Sequence, residues 1–208
     1  MNSFETDLSR AFTGVNFIAG FLIECMILYR FGFDSELFQI SVPVLASFPY
    51  STAWINDYQS GFLKEYLPRC GKKAYILGKF LSCGISGGSL ISTACFFYLH
   101  TKGGEEETLN LLLVFLSGML WAVVAALLAA ASDSRYVAYG GSFVLYYVLI
   151  IIYERHFKTL YCLYPVEWFA PKHLWVFNDM GISLMCGGFV WICGIAYYGI
   201  LEYRIEML

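Results

Sequence analysis

Six stretches of the chain stay apolar long enough to cross a bilayer as helices, which takes about 20 residues. They run over about 12–28, 37–55, 75–100, 109–131, 136–153 and 180–201. Each is a continuous apolar run rather than an alternation of apolar and polar positions, so the spacing predicts helices and not the strands of a barrel. Glu24 is the only charge inside the first run, and 37–55, 80–99, 109–131, 136–153 and 180–201 carry none. The pattern predicts an all-α integral membrane protein, one transmembrane domain over 1–208, with six helices.

An even number of crossings puts both termini on one side. The side follows from Lys and Arg near the span ends. With the termini cytoplasmic, the inner set is Arg10, Lys64, Arg69, Lys72, Lys73, Lys79, Arg135 and Arg204, against Arg30, Lys102, Arg155, Lys158 and Lys172 outside. The acidic run at 105–107 falls outside, where acids carry little topological weight. The leader 1–11 holds Glu5 and Asp7 against Arg10, and no small-x-small site follows the first apolar run. The first run is therefore expected to be a retained helix rather than a cleaved signal.

Composition agrees. Hydrophobic residues make up 59% of the 208 residues and charged residues 14%, whereas a soluble domain has about 45–50% and about 25%. The net charge of −3 excludes a nucleic-acid binder built on a basic face. Five of the seven cysteines, Cys25, Cys83, Cys95, Cys186 and Cys193, lie in apolar runs, and there is no C-x-x-C. They read as buried thiols, with no metal site expected. No G-x-x-x-x-G-K-[ST] phosphate loop is present.

The segment 57–79, DYQSGFLKEYLPRCGKKAYILGK, is too polar to span and too patterned for a plain linker. Ser60 is placed to cap a short helix, in which Phe62, Leu63, Tyr66 and Leu67 form i, i+4 apolar pairs. Pro68 is expected to end it and Gly71 to turn the chain. Two readings are open for this amphipathic helix of about two turns. It rests on lipid headgroups, or it is a knob that docks into a partner's groove.

On these residues the chain resembles the ABC-2 type transporter permeases, the membrane subunits of bacterial ABC exporters. The match runs through Asp57, Ser60-Gly61, Phe62 to Leu67, Arg69, Tyr75 and Lys79, while Gln59 and Phe62 depart from the usual family residues. The resemblance implies six helices with both ends cytoplasmic in the plasma membrane. It makes the short helix a coupling helix, with contacts from Asp57, Ser60, Gly61, Phe62, Leu63, Lys64, Glu65, Tyr66, Leu67 and Arg69. It also implies cytoplasmic ATPase partners that bind ATP and Mg, and a second permease copy or a related permease. The cargo would be exported, and the many aromatic residues suit a peptide, antibiotic or other amphipathic molecule.

Within the spans, Asn16 and Glu24 are candidates for a substrate path or gate, on nearly one helical face. The alternative for Glu24 is an acid snorkelled to the outer interface. Pro43 and Pro49 are candidate kinks in the second span. Tyr139 and Tyr146, with Phe143 and Tyr147, either pack or line a route. Segment 154–179 is rich in aromatics; Pro165, Glu167 and Trp168 resemble the family's outer cap before the last helix, or form an interfacial aromatic belt. Ile85-Ser86-Gly87-Gly88-Ser89 superficially resembles an ABC signature, but its place in an apolar run predicts a small-residue stripe for close helix packing.

Other functions are disfavoured. His100, His156 and His173 lack metal-binding spacing, and Asp133 reads as a helix-end residue, so a membrane enzyme is the weaker alternative. An ATP-independent channel or scaffold stays open as the alternative, although a pore needs more polar lining than these spans offer.

Overall fold

The computed structural model describes residues 3–102, 110–173, 175 and 177–207. Nine α-helices are formed among them: α1 (Ser3–Thr13), α2 (Val15–Phe31), α3 (Glu36–Leu45), α4 (Ala53–Gln59), α5 (Phe62–Cys70), α6 (Lys72–Lys102), α7 (Leu111–Ser132), α8 (Arg135–Arg155) and α9 (Asp179–Glu206). Two 3-10 turns, Tyr161–Leu163 and Pro165–Trp168, precede α9, and no strand occurs among the described residues. The acidic run 105–107 and the first residue of the expected span 109–131 lie outside the described residues.

Four helices, α6 to α9, are long and apolar enough to cross a membrane. They cover the expected runs from 75–100 onward. The pair α1 and α2 adds a fifth if taken as one span, bent by 49° at Gly14. The run 12–28 is therefore split, its first two residues belonging to α1.

The expected single helix over 37–55 is not formed. The chain is helical to Leu45, turns through 46–52, and resumes at Ala53. Backbone bonds there shorten to i, i−3: Ser47 N–H to Val44 O at 3.2 Å, Phe48 N–H to Leu45 O at 3.1 Å and Ala53 N–H to Tyr50 O at 3.1 Å. Pro49 brings no N–H to this stretch, and the Ser47 hydroxyl takes a further share of Val44 O at 2.6 Å. Pro43 sits inside α3 without ending it.

The short helix also differs from its expected form. Ser60 does not cap it; its hydroxyl donates back to Asp57 O at 3.2 Å, at the end of α4. Gly61, at φ +73°, makes the corner instead, and Gly71, at φ +79°, makes the second. A left-handed backbone there favours residues without a Cβ. Pro68 lies within α5 rather than ending it. Its missing donor orphans only the carbonyl of Lys64, an exposed residue, which water can satisfy.

The centre of the fold is α6 against α7, the most extensive helix contact, with α1, α2 and α9 packed around them. Leu90, Ile91, Ala94 and Cys95 of α6, and Ala122, Val123, Ala126 and Ala129 of α7, are fully buried. Outward faces stay apolar: Tyr136 and Val144 of α8, and Trp191, Ile192 and Ile195 of α9, are exposed. Exposed apolar belts of this kind suit lipid rather than water.

One end of the bundle gathers the α4–α5 corner, the α7–α8 turn and the end of α9. Arg135 donates to Gln59 Oε1 at 2.8 Å. Arg204 pairs with Asp133, which sits at φ +52°, and donates to Ala131 O at 2.9 Å. The other end gathers the α2–α3 turn and segment 156–179, where Phe169 meets Phe33 and Phe38 edge to face. Asn110 donates to Asp179 Oδ2 there at 2.9 Å.

Candidate functional site

Helix α5 hangs between its two glycine corners at the first end. Leu63 is its only buried residue; Phe62, Tyr66 and Leu67 are half-buried, and Lys64, Glu65 and Arg69 are exposed. The Phe62 and Tyr66 rings stack at 4.8 Å, and Tyr66 meets Tyr75 of α6 at 6.1 Å. The Arg10 guanidinium of α1 lies 5.0 Å over the Phe62 ring. At the end of α5, partial burial comes first among the effects that push the Cys70 thiol above its ordinary value, so it does not read as a reactive thiolate.

Both arms of α5 are tied together by a buried ionic cluster. Lys79 of α6 has a side chain only 2% exposed. Its ammonium reaches Asp7 Oδ1 of α1 at 2.9 Å, Asp57 Oδ2 of α4 at 2.7 Å and the Tyr50 hydroxyl at 2.8 Å. Three partners use all three ammonium protons. The Tyr50 hydroxyl donates to Asp7 Oδ1 at 2.6 Å, the Tyr75 hydroxyl to Asp57 Oδ2 at 3.0 Å, and Ser3 to Asp7 Oδ2 at 3.4 Å. The rings of Tyr50 and Tyr75 also face the cation, at 4.8 and 5.5 Å. A charge this buried persists only when paired and hydrogen-bonded throughout. Gly78 permits the arrangement: a Cβ there would lie 3.3 Å from Asp7 Oδ2 and from Ser3 Oγ, so α1 lies flush on α6.

Asp57, Tyr75 and Lys79 thus converge, with the expected α5 residues beside them. Asp7 and Tyr50 were not legible as site residues. The only local signal for Asp7 is the four-residue spacing of Ser3, Asp7 and Ala11, the buried face of α1; Tyr50 has none.

The other candidates scatter. Glu24 is fully buried and Asn16 exposed, so the two do not share a face. Eight residues rotate a helix about 80° past two turns, enough to carry Asn16 off the packed side. Snorkelling of Glu24 to an interface is likewise excluded by its burial. Pro43 O accepts from the Ser142 hydroxyl of α8 at 3.1 Å, while Pro49 lies in the turn after α3. The Tyr139 hydroxyl pairs with Thr52 Oγ1 at 3.2 Å, and its ring meets Phe48. Tyr146 is fully buried with its ring edge-on to Trp121, so it packs rather than lining a route.

At the second end, Pro165, Glu167 and Trp168 are buried, not a loose belt. Trp168 stacks on Trp121 at 5.7 Å and donates to Cys162 O at 3.0 Å. Glu167 accepts from the backbone N–H of Lys172 and His173 at 3.0 and 3.1 Å and from Trp175 Nε1 at 3.4 Å; its other oxygen lies 2.9 Å from His173 Nδ1. This carboxylate pins the segment before α9. Glu167→Ala should cost roughly 1–3 kcal/mol through donors left without an acceptor. Limited chymotrypsin digestion should then cut after Phe169 and Trp175 faster than in the wild type.

Among the described residues, no group of three or more His, Cys, Asp or Glu converges as a metal site. In comparisons with known proteins, the chain matches no family model, no curated protein and no solved structure.

Proposed function

We propose that the chain is the transmembrane subunit of an ABC exporter in the bacterial plasma membrane, driven by separate ATPases that dock on α5. One observation carries the reading. Lys79, just beyond α5, binds Asp57, just before it, and Asp7 of α1. A push on α5 is therefore received by α4, α6 and α1 as one body. Exposed Lys64, Glu65 and Arg69 supply the register charges, and the half-buried rings supply packing contacts through which force passes.

In this reading the chain crosses six times: through α2 with α1 on the inner surface, through α3 and α4 as a broken span, and through α6, α7, α8 and α9. Both termini are then cytoplasmic. Two copies, or one copy and a related permease, enclose the pathway within membrane lipid, and the partner ATPases hold ATP and Mg. The cargo is a peptide, antibiotic or other amphipathic molecule.

Purification from native membranes in mild detergent tests the docking. The wild type should bring a nucleotide-binding protein with it. Deleting 61–67 should abolish that association while membrane insertion continues. Association that survives the deletion removes α5 from the coupling role, and a wild type that brings no nucleotide-binding protein favours the ATP-independent channel or scaffold.

A further inference from the structure

We propose that Glu24 is a proton-binding site in the seam between α2 and α3, holding its proton while the seam is closed and releasing it when the two helices part. Ser41 of α3 faces two oxygens with one hydroxyl proton. Its hydroxyl oxygen lies 2.7 Å from Phe38 O and 3.1 Å from Glu24 Oε1. A hydroxyl has one proton to give, and a carbonyl oxygen can only accept. The hydroxyl lies within donor reach of both oxygens, and with its one proton on the shorter contact to Phe38 only a proton on the carboxyl can bridge Oε1 to Oγ.

The opposite assignment is far less favourable. An ionised Glu24 would rest a full charge on at most one hydrogen bond, since Oε2 is buried with no partner. Glu24 has no exposed surface, and no Lys, Arg or His pairs with it among the described residues. Buried carboxylates persist when paired, and otherwise neutralise. The neighbouring elements bring no counter-charge: α2 contributes the Cys25 thiol, α6 the Cys95 thiol and α3 the Ser41 hydroxyl.

The consequence is conformational. Water reaching the carboxyl stabilises the ionised form, and separation of α2 from α3 would admit it. Opening therefore turns the acid into carboxylate plus one proton delivered to water, and closing takes one proton back. No electrons move. Helix α3 runs into the turn at 46–52, which holds Tyr50 of the Lys79 cluster, so the proton site is joined through α3 to the segment that braces Lys79. The inference does not require an ATPase partner.

Infrared difference spectra of the full chain in lipid nanodiscs near neutral pH test the site. Wild type minus Glu24→Gln should show the carbonyl stretch of an un-ionised acid. In Ser41→Ala the same band should move to higher frequency, because its hydrogen bond is gone. Carboxylate bands in that difference, or a carbonyl band blind to Ser41→Ala, overturn the site. Cys95, fully buried on α6, reports the opening. Its N-ethylmaleimide labelling in wild type, divided by that in Glu24→Gln at the same pH, should rise severalfold as the pH is raised. A ratio that stays flat overturns the linkage to opening.

Discussion

Lys79→Met should destabilise the protein by about 3–5 kcal/mol, the range for breaking a buried ion pair by removing one partner. Against a total stability of about 5–15 kcal/mol, that is a large share. The loss comes from what stays behind. Asp7 and Asp57 would face each other across the vacated ammonium position, each keeping only tyrosine or serine donors. Methionine fills most of the volume, so the missing charge and not a cavity is responsible. Adding Asp57→Asn and Asp7→Asn to Lys79→Met should therefore recover more than half of the loss, in that cumulative order. Thermal unfolding in detergent, followed by size-exclusion chromatography of the heated samples, gives the ranking. A triple variant no more stable than Lys79→Met would show that packing, not uncompensated charge, dominates the cluster. If coupling runs through these residues, the triple variant should fold and still transmit poorly, because asparagine cannot replace an ammonium-centred brace among three helices.

The helices were legible because hydropathy and length are local properties, and α6 to α9 fall where the apolar runs lie. Hydropathy was blind to the break at 46–52. Ala46, Ser47, Phe48 and Pro49 are apolar or small enough to keep a running average high, while the backbone loses its regular ladder there. The buried face of α8 was partly legible: Ala138, Ser142 and Tyr146 recur every four residues, which separates Tyr146 from the exposed Phe143 and Tyr147. In the candidate site, α5 stood out by its own pattern. Of the brace around it, Asp57, Tyr75 and Lys79 stood out in the resemblance but Asp7 and Tyr50 did not, because Asp7 and Lys79 are far apart in the chain and meet only through the packing of α1 on α6. An acid in a polar leader looks the same whether it meets solvent or a buried lysine.

The small-residue stripe Ile85 to Ser89 is where helix packing is tightest, and Gly87→Ala should cost at least about 1–3 kcal/mol by overpacking, with Gly87→Val worse. A Cβ at Gly87 would sit 2.4 Å from the Ala122 Cβ of α7 and 2.5 Å from the Ala46 carbonyl oxygen. Neither is the free end of a flexible side chain, so a helix or the turn at 46–52 must move. The facing residue is also a glycine: a Cβ at Gly118 would lie 3.2 Å from both Gly87 O and Gly88 Cα. Close backbone approach of this kind is how membrane helices gain packing without a hydrophobic driving force. Two variants make the expectation sharp. Ala122→Gly added to Gly87→Ala removes the nearer clash and leaves the one with Ala46, so rescue should be real but incomplete. Gly140→Ala, on α8 with nothing within 4 Å of the new Cβ, should instead be neutral or gain up to about 1 kcal/mol from helix propensity. Unfolding temperatures of the four proteins should rank Gly140→Ala at or above wild type, then the double variant, then Gly87→Ala. Because Ala46 begins the turn that leads to Tyr50, a wedge at Gly87 pushes on the segment that also braces α5. Gly87→Ala should therefore loosen the Lys79 cluster at a distance, and should combine with Lys79→Met less than additively.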